Sequence, residues 1–275
     1  GFTAWRGAWP QAVYPQDYLA AVGGGRAAEA AEPTDRYPRT GLWSLRAIHA
    51  QEAWQALQQG RVPGERPIIG IYDGWVDAAH RDLRGAVAEA VRPSTLLGAA
   101  RWLVRDGHGT ALAGSIAGRG LPGMTGVDPE SRLRPFSMFG EGDRSLGAAL
   151  RDFTDHGVPV AVVALATSEP LVTQAQVDEA RQGGVLLVTG LYNRATNEQP
   201  HPAILEHTLV VAGHGPEGEA LYGPSDLLDL RAPAPLAKAP APQLRLGPLV
   251  LGDPYQRFCC NSAAVAITAG AISLL

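Results

Sequence analysis

The chain has 275 residues, 45% apolar and 18% charged, with a formal net charge of −4. That length can bury one large core and fits one or at most two domains. No basic run points to nucleic acid, the broken apolar runs fall short of a membrane span, and 33 Gly and 22 Pro without a three-residue period exclude collagen.

Two adjacent cysteines, Cys259 and Cys260, cannot form a metal site or a disulfide framework alone, and two reduced, partly buried thiols are expected. The chain begins with Gly1 rather than Met, which suggests a processed product.

Residues 1–41 are aromatic, Ala/Gly-rich and then polar, and are expected to form an N-terminal arm before a domain over residues 42–275. In residues 42–60, Leu45, Ile48, Ala53 or Trp54, and Leu57 fall on one helical face, with Gly60 as a stop. "RPIIGIYDGWVD" follows, with an apolar, Ile-rich run suited to a buried strand that ends at Asp73-Gly74. "GHGTALAGSIAG" (107–118) predicts a small-residue helix.

Beyond it, "SRLRPFSMF", "VPVAVVALA", "VLLVTG" (185–190) and "HTLVVAG" (207–213) predict strands. "SLGAALRDFTDHG" and "TQAQVDEARQGG" predict helices between them. Such alternation predicts an α/β fold with a mostly parallel central sheet covered by helices on both faces. "APAPLAKAPAPQLRLGP" (232–248) reads as an irregular surface excursion.

Ligands gather at the carboxyl ends of strands in open α/β sheets. Four polar residues stand at such strand or helix ends: Asp73, His108, Asn193 and Ser262. Together they make coherent chemistry. A serine hydroxyl needs a base to attack a carbonyl, a histidine can supply it, and an aspartate can fix the ring tautomer. The backbone N–H of Ser262 at a helix start and the Asn193 amide could then hold an oxyanion. Taken singly, each has an ordinary reading: a helix cap for Ser262, a turn residue for Asp73, a packing histidine for His108 and a loop amide for Asn193. "YDGWVD" could equally supply acidic metal ligands.

The flanking residues are more specific. "IIGIYDGWVDAAHRDL", "HGTALAGSIAG", "GVDPESRL" (126–133), "VLLVTGLYN" and "CNSAAVAITAG" (260–270) stand in one unbroken order. In these blocks the chain resembles the subtilisin-like serine peptidases, the subtilases, over about residues 42–275. The resemblance implies a three-layer α/β sandwich and a serine endopeptidase acting through an acyl-enzyme. In it, Asp73 orients, His108 is general base and acid, Ser262 is nucleophile and Asn193 is oxyanion donor. It implies a peptide or protein substrate held as an added strand, with "VVALATS" (162–168) at the substrate edge. A narrow-specificity processing protease is one form of this expectation. The alternative is a catalytically impaired subtilase-like protein that binds peptides or proteins.

The chain also departs from the family pattern. Gly74-Trp75 stands for Thr-Gly after the acid, Tyr192 for the Gly before Asn193, and Cys260-Asn261 for the Gly-Thr before the serine. If those glycines serve φ > 0, Tyr192 and Cys260 imply an altered backbone. The Ser-Leu-Gly of the substrate edge is not recognisable, and Glu169 reads as a solvated loop carboxylate.

The family domain normally runs further past its nucleophile helix, so an uncovered apolar helix face is expected here, completed by the arm, a second chain or a cleaved segment. No cofactor and no metal is expected; calcium stabilises many family members, but no acidic loop here is distinctive. The family suggests a secreted or periplasmic location.

Overall fold

The computed structural model describes residues 42–59, 67–87, 107–119, 124–194, 196–221, 226–234, 237–246 and 249–275. The expected arm at 1–41 and the stop at Gly60 lie outside the described residues.

The segment expected as one amphipathic helix folds as two. Helix α1 (Leu42–Ala47) and helix α2 (Ala50–Gln59) break at Ile48-His49, where His49 takes a left-handed φ of 53°. A non-glycine residue there cannot continue a right-handed helix.

The central sheet contains β1 (Ile68–Asp73), β2 (Arg132–Ser137), β3 (Val160–Val163), β4 (Leu186–Gly190), β5 (Thr208–His214) and β6 (Leu230–Pro233). Its order is β2-β1-β3-β4-β5-β6, and every pairing is parallel. The β1 interior is buried on both faces, as the unbroken apolar run "IIGIY" requires. The sixth strand was not expected: "LRAP" is too short and too mixed to show a strand period.

Helix α3 (His108–Ala117) and helix α6 (Cys260–Ser273) cover one face. Helix α4 (Leu146–Asp155) and helix α5 (Gln174–Gln182) cover the other, around Leu146, Leu150, Phe153, Val163 and Leu187. Each of the latter pair starts on a side-chain cap. The Ser145 hydroxyl accepts from Ala148 N–H, and Thr173 and Gln176 form a reciprocal capping box. The three layers match the expected α/β sandwich.

Small residues bring the first face close. A Cβ at Gly114 would lie 2.3 Å from Pro240 Cδ, and one at Gly270 would lie 2.6 Å from Val127 Cβ. Ala264, Val265, Ala266 and Ala269 of α6 are wholly buried.

The stretch expected as an irregular excursion is partly ordered. It holds β7 (Ala237–Pro240), paired antiparallel with β10 (Tyr255–Phe258), and β8 (Leu244–Leu246), paired antiparallel with β9 (Leu249–Leu251). Proline ends β7, where a missing N–H can be tolerated in a two-stranded ribbon.

The outer side of α6 is covered from within the chain. Ile267 is buried with Leu45, Ala50, Trp54 and Val127, and the Trp54 indole N–H donates to Val127 O at 2.9 Å. The expected uncovered face is therefore occupied at Ile267 by α1 and α2. No helix among the described residues is long and apolar enough to cross a membrane.

Candidate active site

β1 delivers Asp73 at its carboxyl end, buried to 2% exposure. Its Oδ1 accepts from Gly74 N–H at 2.7 Å, and its Oδ2 lies 2.8 Å from His108 Nδ1. His108 Nε2 lies 3.0 Å from Ser262 Oγ. A carboxylate only accepts, so Nδ1 carries the ring proton and Nε2 presents its lone pair to the Ser262 hydroxyl. This is the tautomer that can take a proton from serine as it attacks.

One neighbour meets the ring and another anchors the backbone just before it. Phe258 meets it edge-on at 5.4 Å, and Gln256 Nε2 donates to Gly107 O, the residue before His108. The next residue, Gly109, packs closely, since a Cβ there would lie 3.0 Å from Gly74 O and 3.2 Å from Trp75 O.

Trp75, expected as a bulky neighbour of the acid, packs its ring on Phe139 at 5.2 Å and leaves the His108–Ser262 contact intact. The carboxylates of "YDGWVD" are engaged within the fold. Besides Asp73, Asp77 accepts from Ala79 N–H at 3.1 Å and from Gln243 N–H at 3.1 Å. No group of three or more potential metal ligands occurs among the described residues.

The structure brings Asn193 to the same place. A cleft of about 190 Å³ is lined by His108, Ser262, Asn193, Leu191 and Val265, together with Ala164, Leu165 and Ala166. Those last three lie within 162–168, the stretch expected at the substrate edge. Glu169 is exposed, consistent with a solvated loop carboxylate.

Asn193 Oδ1 accepts from the backbone N–H of Asn261 at 2.9 Å. Because that partner is a donor, the amide oxygen must face it, and the NH₂ group turns the other way. Asn261 is a residue that sequence reasoning missed. It is 1% exposed, accepts from Gly213 N–H at 2.7 Å, and donates to Leu191 O and Tyr192 O, each at 3.0 Å.

The two departures from glycine behave differently. Tyr192 is not among the residues with positive φ, so no glycine is needed there, and Arg194 lies 4.9 Å over its ring. Cys260 has φ 70° and keeps the left-handed turn that glycine favours. Neither displaces the relay. The expected pair of reduced thiols is a disulfide instead: Cys259 and Cys260 are bonded to each other immediately ahead of Asn261.

A carboxylate, an imidazole and a hydroxyl linked in this order, at the carboxyl end of a parallel sheet, define the Asp-His-Ser arrangement of a serine endopeptidase. The model of the subtilase family matches residues 64–275, and the chain belongs to that family. No curated protein matches the sequence.

Among solved structures, the chain is similar to the prenylagaramide maturation protease PagA, at 20% identity and TM-score 0.63, over 82% of this chain and 78% of that one. It is similar to the nisin leader peptidase NisP from Lactococcus lactis at 17% identity and TM-score 0.62, over 84% and 82%. The PatG macrocyclase in complex with peptide aligns at 16% identity and TM-score 0.64, over 84% and 79%. At these identities the likeness establishes the fold.

Proposed function

We propose that this chain is a narrow-specificity processing endopeptidase that cleaves a peptide or protein precursor through an acyl-enzyme. The observation that carries it is the unbroken relay from Asp73 through His108 to Ser262, open on one side to the cleft. Ser262 attacks the scissile carbonyl while His108 takes its proton. His108 then protonates the leaving amine and activates the water that releases the acyl group.

Asn193 is the oxyanion donor in this mechanism. Its oxygen is held by Asn261 N–H, and its NH₂ group is left for the cleft. The backbone N–H of Ser262 is the second donor. It lies in the first turn of α6, where N–H groups have no intrahelical acceptor. The substrate enters as an added strand beside Ala164–Ala166.

The narrow specificity draws on the small cleft, whose walls at Ala164, Leu165, Ala166, Leu191 and Val265 are apolar. It also draws on the fold neighbours, two of which are named for maturation or leader-peptide removal. A secreted or periplasmic location belongs to the same proposal, and the Cys259–Cys260 disulfide favours an oxidising compartment.

The test is labelling with a fluorescent alkyl fluorophosphonate, followed by cleavage of a peptide library. Label on wild-type Ser262, none on Ser262→Ala, and cleavage at a few related sequences are expected. An unlabelled wild type would overturn the peptidase mechanism, and indiscriminate cleavage would overturn the processing role.

A further inference from the structure

The β4–β5 ladder ends at the pair Gly190 and Val211, and the two strands then separate beneath the cleft. The Asn261 side chain is inserted into the opening. Its oxygen takes the N–H of Gly213 on β5, and its NH₂ group gives one hydrogen to Leu191 O and one to Tyr192 O just past the end of β4. The amide stands in for a peptide unit between strands that no longer reach each other.

Glycines make the room. A Cβ at Gly190 would lie 3.0 Å from Val265 and 3.6 Å from Asn261 Cβ, and one at Gly213 would lie 3.4 Å from Asn261 Oδ1. Both N–H hydrogens and the oxygen of the buried Asn261 side chain are engaged, and its backbone N–H holds Asn193 Oδ1. One residue thus ties the nucleophile's helix to the loop that carries Asn193, from both ends of that loop's first three residues. The family pattern has threonine here, and a hydroxyl, with its single hydrogen, cannot donate to both Leu191 O and Tyr192 O.

Resting on the peptidase mechanism above, we propose that Asn261 is a positioning residue: its amide sets the distance between Ser262 and the Asn193 oxyanion donor. It acts through Asn193 and need not touch substrate.

The experiment measures inactivation by a fluorescent alkyl fluorophosphonate, whose phosphoryl oxygen occupies the oxyanion position, and separates kinact from KI. The proteins are wild type, Asn193→Ala, Asn261→Ala, Asn261→Ser and the Asn193→Ala/Asn261→Ala double variant. Removing one oxyanion donor costs roughly 100-fold in rate, which is the expected fall in kinact for Asn193→Ala. Asn261→Ala and Asn261→Ser are expected to lose about 10- to 100-fold in kinact with KI within about twofold. The double variant is expected to fall no more than about threefold below Asn193→Ala, since both changes remove the same donor.

Losses that multiply in the double variant, or a kinact for Asn261→Ala within about twofold of wild type, would overturn the proposal. Thermal melts accompany each measurement. If both Asn261 variants fail to fold, Asn261 is a folding residue and the positioning role is rejected. A wild type that does not react at all counts against the peptidase mechanism itself, and this inference falls with it.

Discussion

Asp73 grips two partners with separate oxygens, Gly74 N–H on Oδ1 at 2.7 Å and His108 Nδ1 on Oδ2 at 2.8 Å. The division decides what Asp73→Asn would do. The amide oxygen stays on Gly74 N–H, so the NH₂ group faces His108 and forces the ring proton onto Nε2. The ring then offers Ser262 a donor instead of a base. Fluorophosphonate inactivation is expected to slow by about 10³- to 10⁴-fold with little change in melting temperature. A loss below about tenfold would mean that His108 is oriented by something else.

Gly109 sits against the carbonyls of Gly74 and Trp75 and 3.3 Å from Asp73 Oδ1, measured from where its Cβ would be. Gly109→Ala requires the backbone at Gly74 and Trp75 to give by a few tenths of an ångström next to the relay. Overpacking of this kind costs about 1–3 kcal/mol, and a lower denaturant midpoint with slower labelling of Ser262 is expected. Unchanged stability would show that the contact relaxes freely.

Cys260 adopts φ 70° although it carries a side chain. Cys260→Gly and Cys260→Ala both remove the disulfide, so their difference reports the backbone alone. The glycine variant is expected to be the more stable by about 1 kcal/mol, since the left-handed region costs an L-residue about that much. Urea denaturation of the two side by side is the check, and equal midpoints would mean the turn is not retained once the ring opens.

Tyr255, on the strand that leads to Phe258 and the disulfide, has its phenol pushed up to about 12, chiefly by burial. Its oxygen accepts from the Arg81 guanidinium, with one contact at 2.8 Å. The fold thus favours the neutral phenol. The stabilisation is complete below the ordinary value of 10.0 and is lost as pH rises toward 12. Denaturation midpoints across that interval are expected to fall less steeply in Tyr255→Phe than in wild type, and the tyrosinate absorbance of wild type is expected to show a late-titrating phenol that Tyr255→Phe lacks.

Much of this protein is legible because its chemistry is local in sequence. The Ile-rich run before Asp73 spells a buried strand, and "HGTALAGSIAG" spells a close-packed helix opened by its histidine. The order of Asp73, His108, Asn193 and Ser262, each at an element's end, points to one crevice. The errors fall where local pattern is weak. "LRAP" and the Pro/Ala-rich stretch carry no clear period, yet they become β6 and β7 because β5 and β10 supply the missing partners. The face shared by Leu45, Ile48 and Leu57 suggested one helix, yet the left-handed turn at His49 splits it.

By itself, then, the sequence determined the layered α/β plan, which follows from periodicity, and it identified the reacting groups through residue blocks that resemble those of the subtilases. Only the tertiary structure decided the rest. Asn261 reads as a neighbour of the serine until the fold brings Leu191, 70 positions earlier, within 3.0 Å of its amide. Cys259 and Cys260 read as two thiols until the turn into α6 holds them as one bonded pair. Hydrogen bonds of that reach depend on where strands diverge and helices begin, and no spacing along the chain encodes a distance between them.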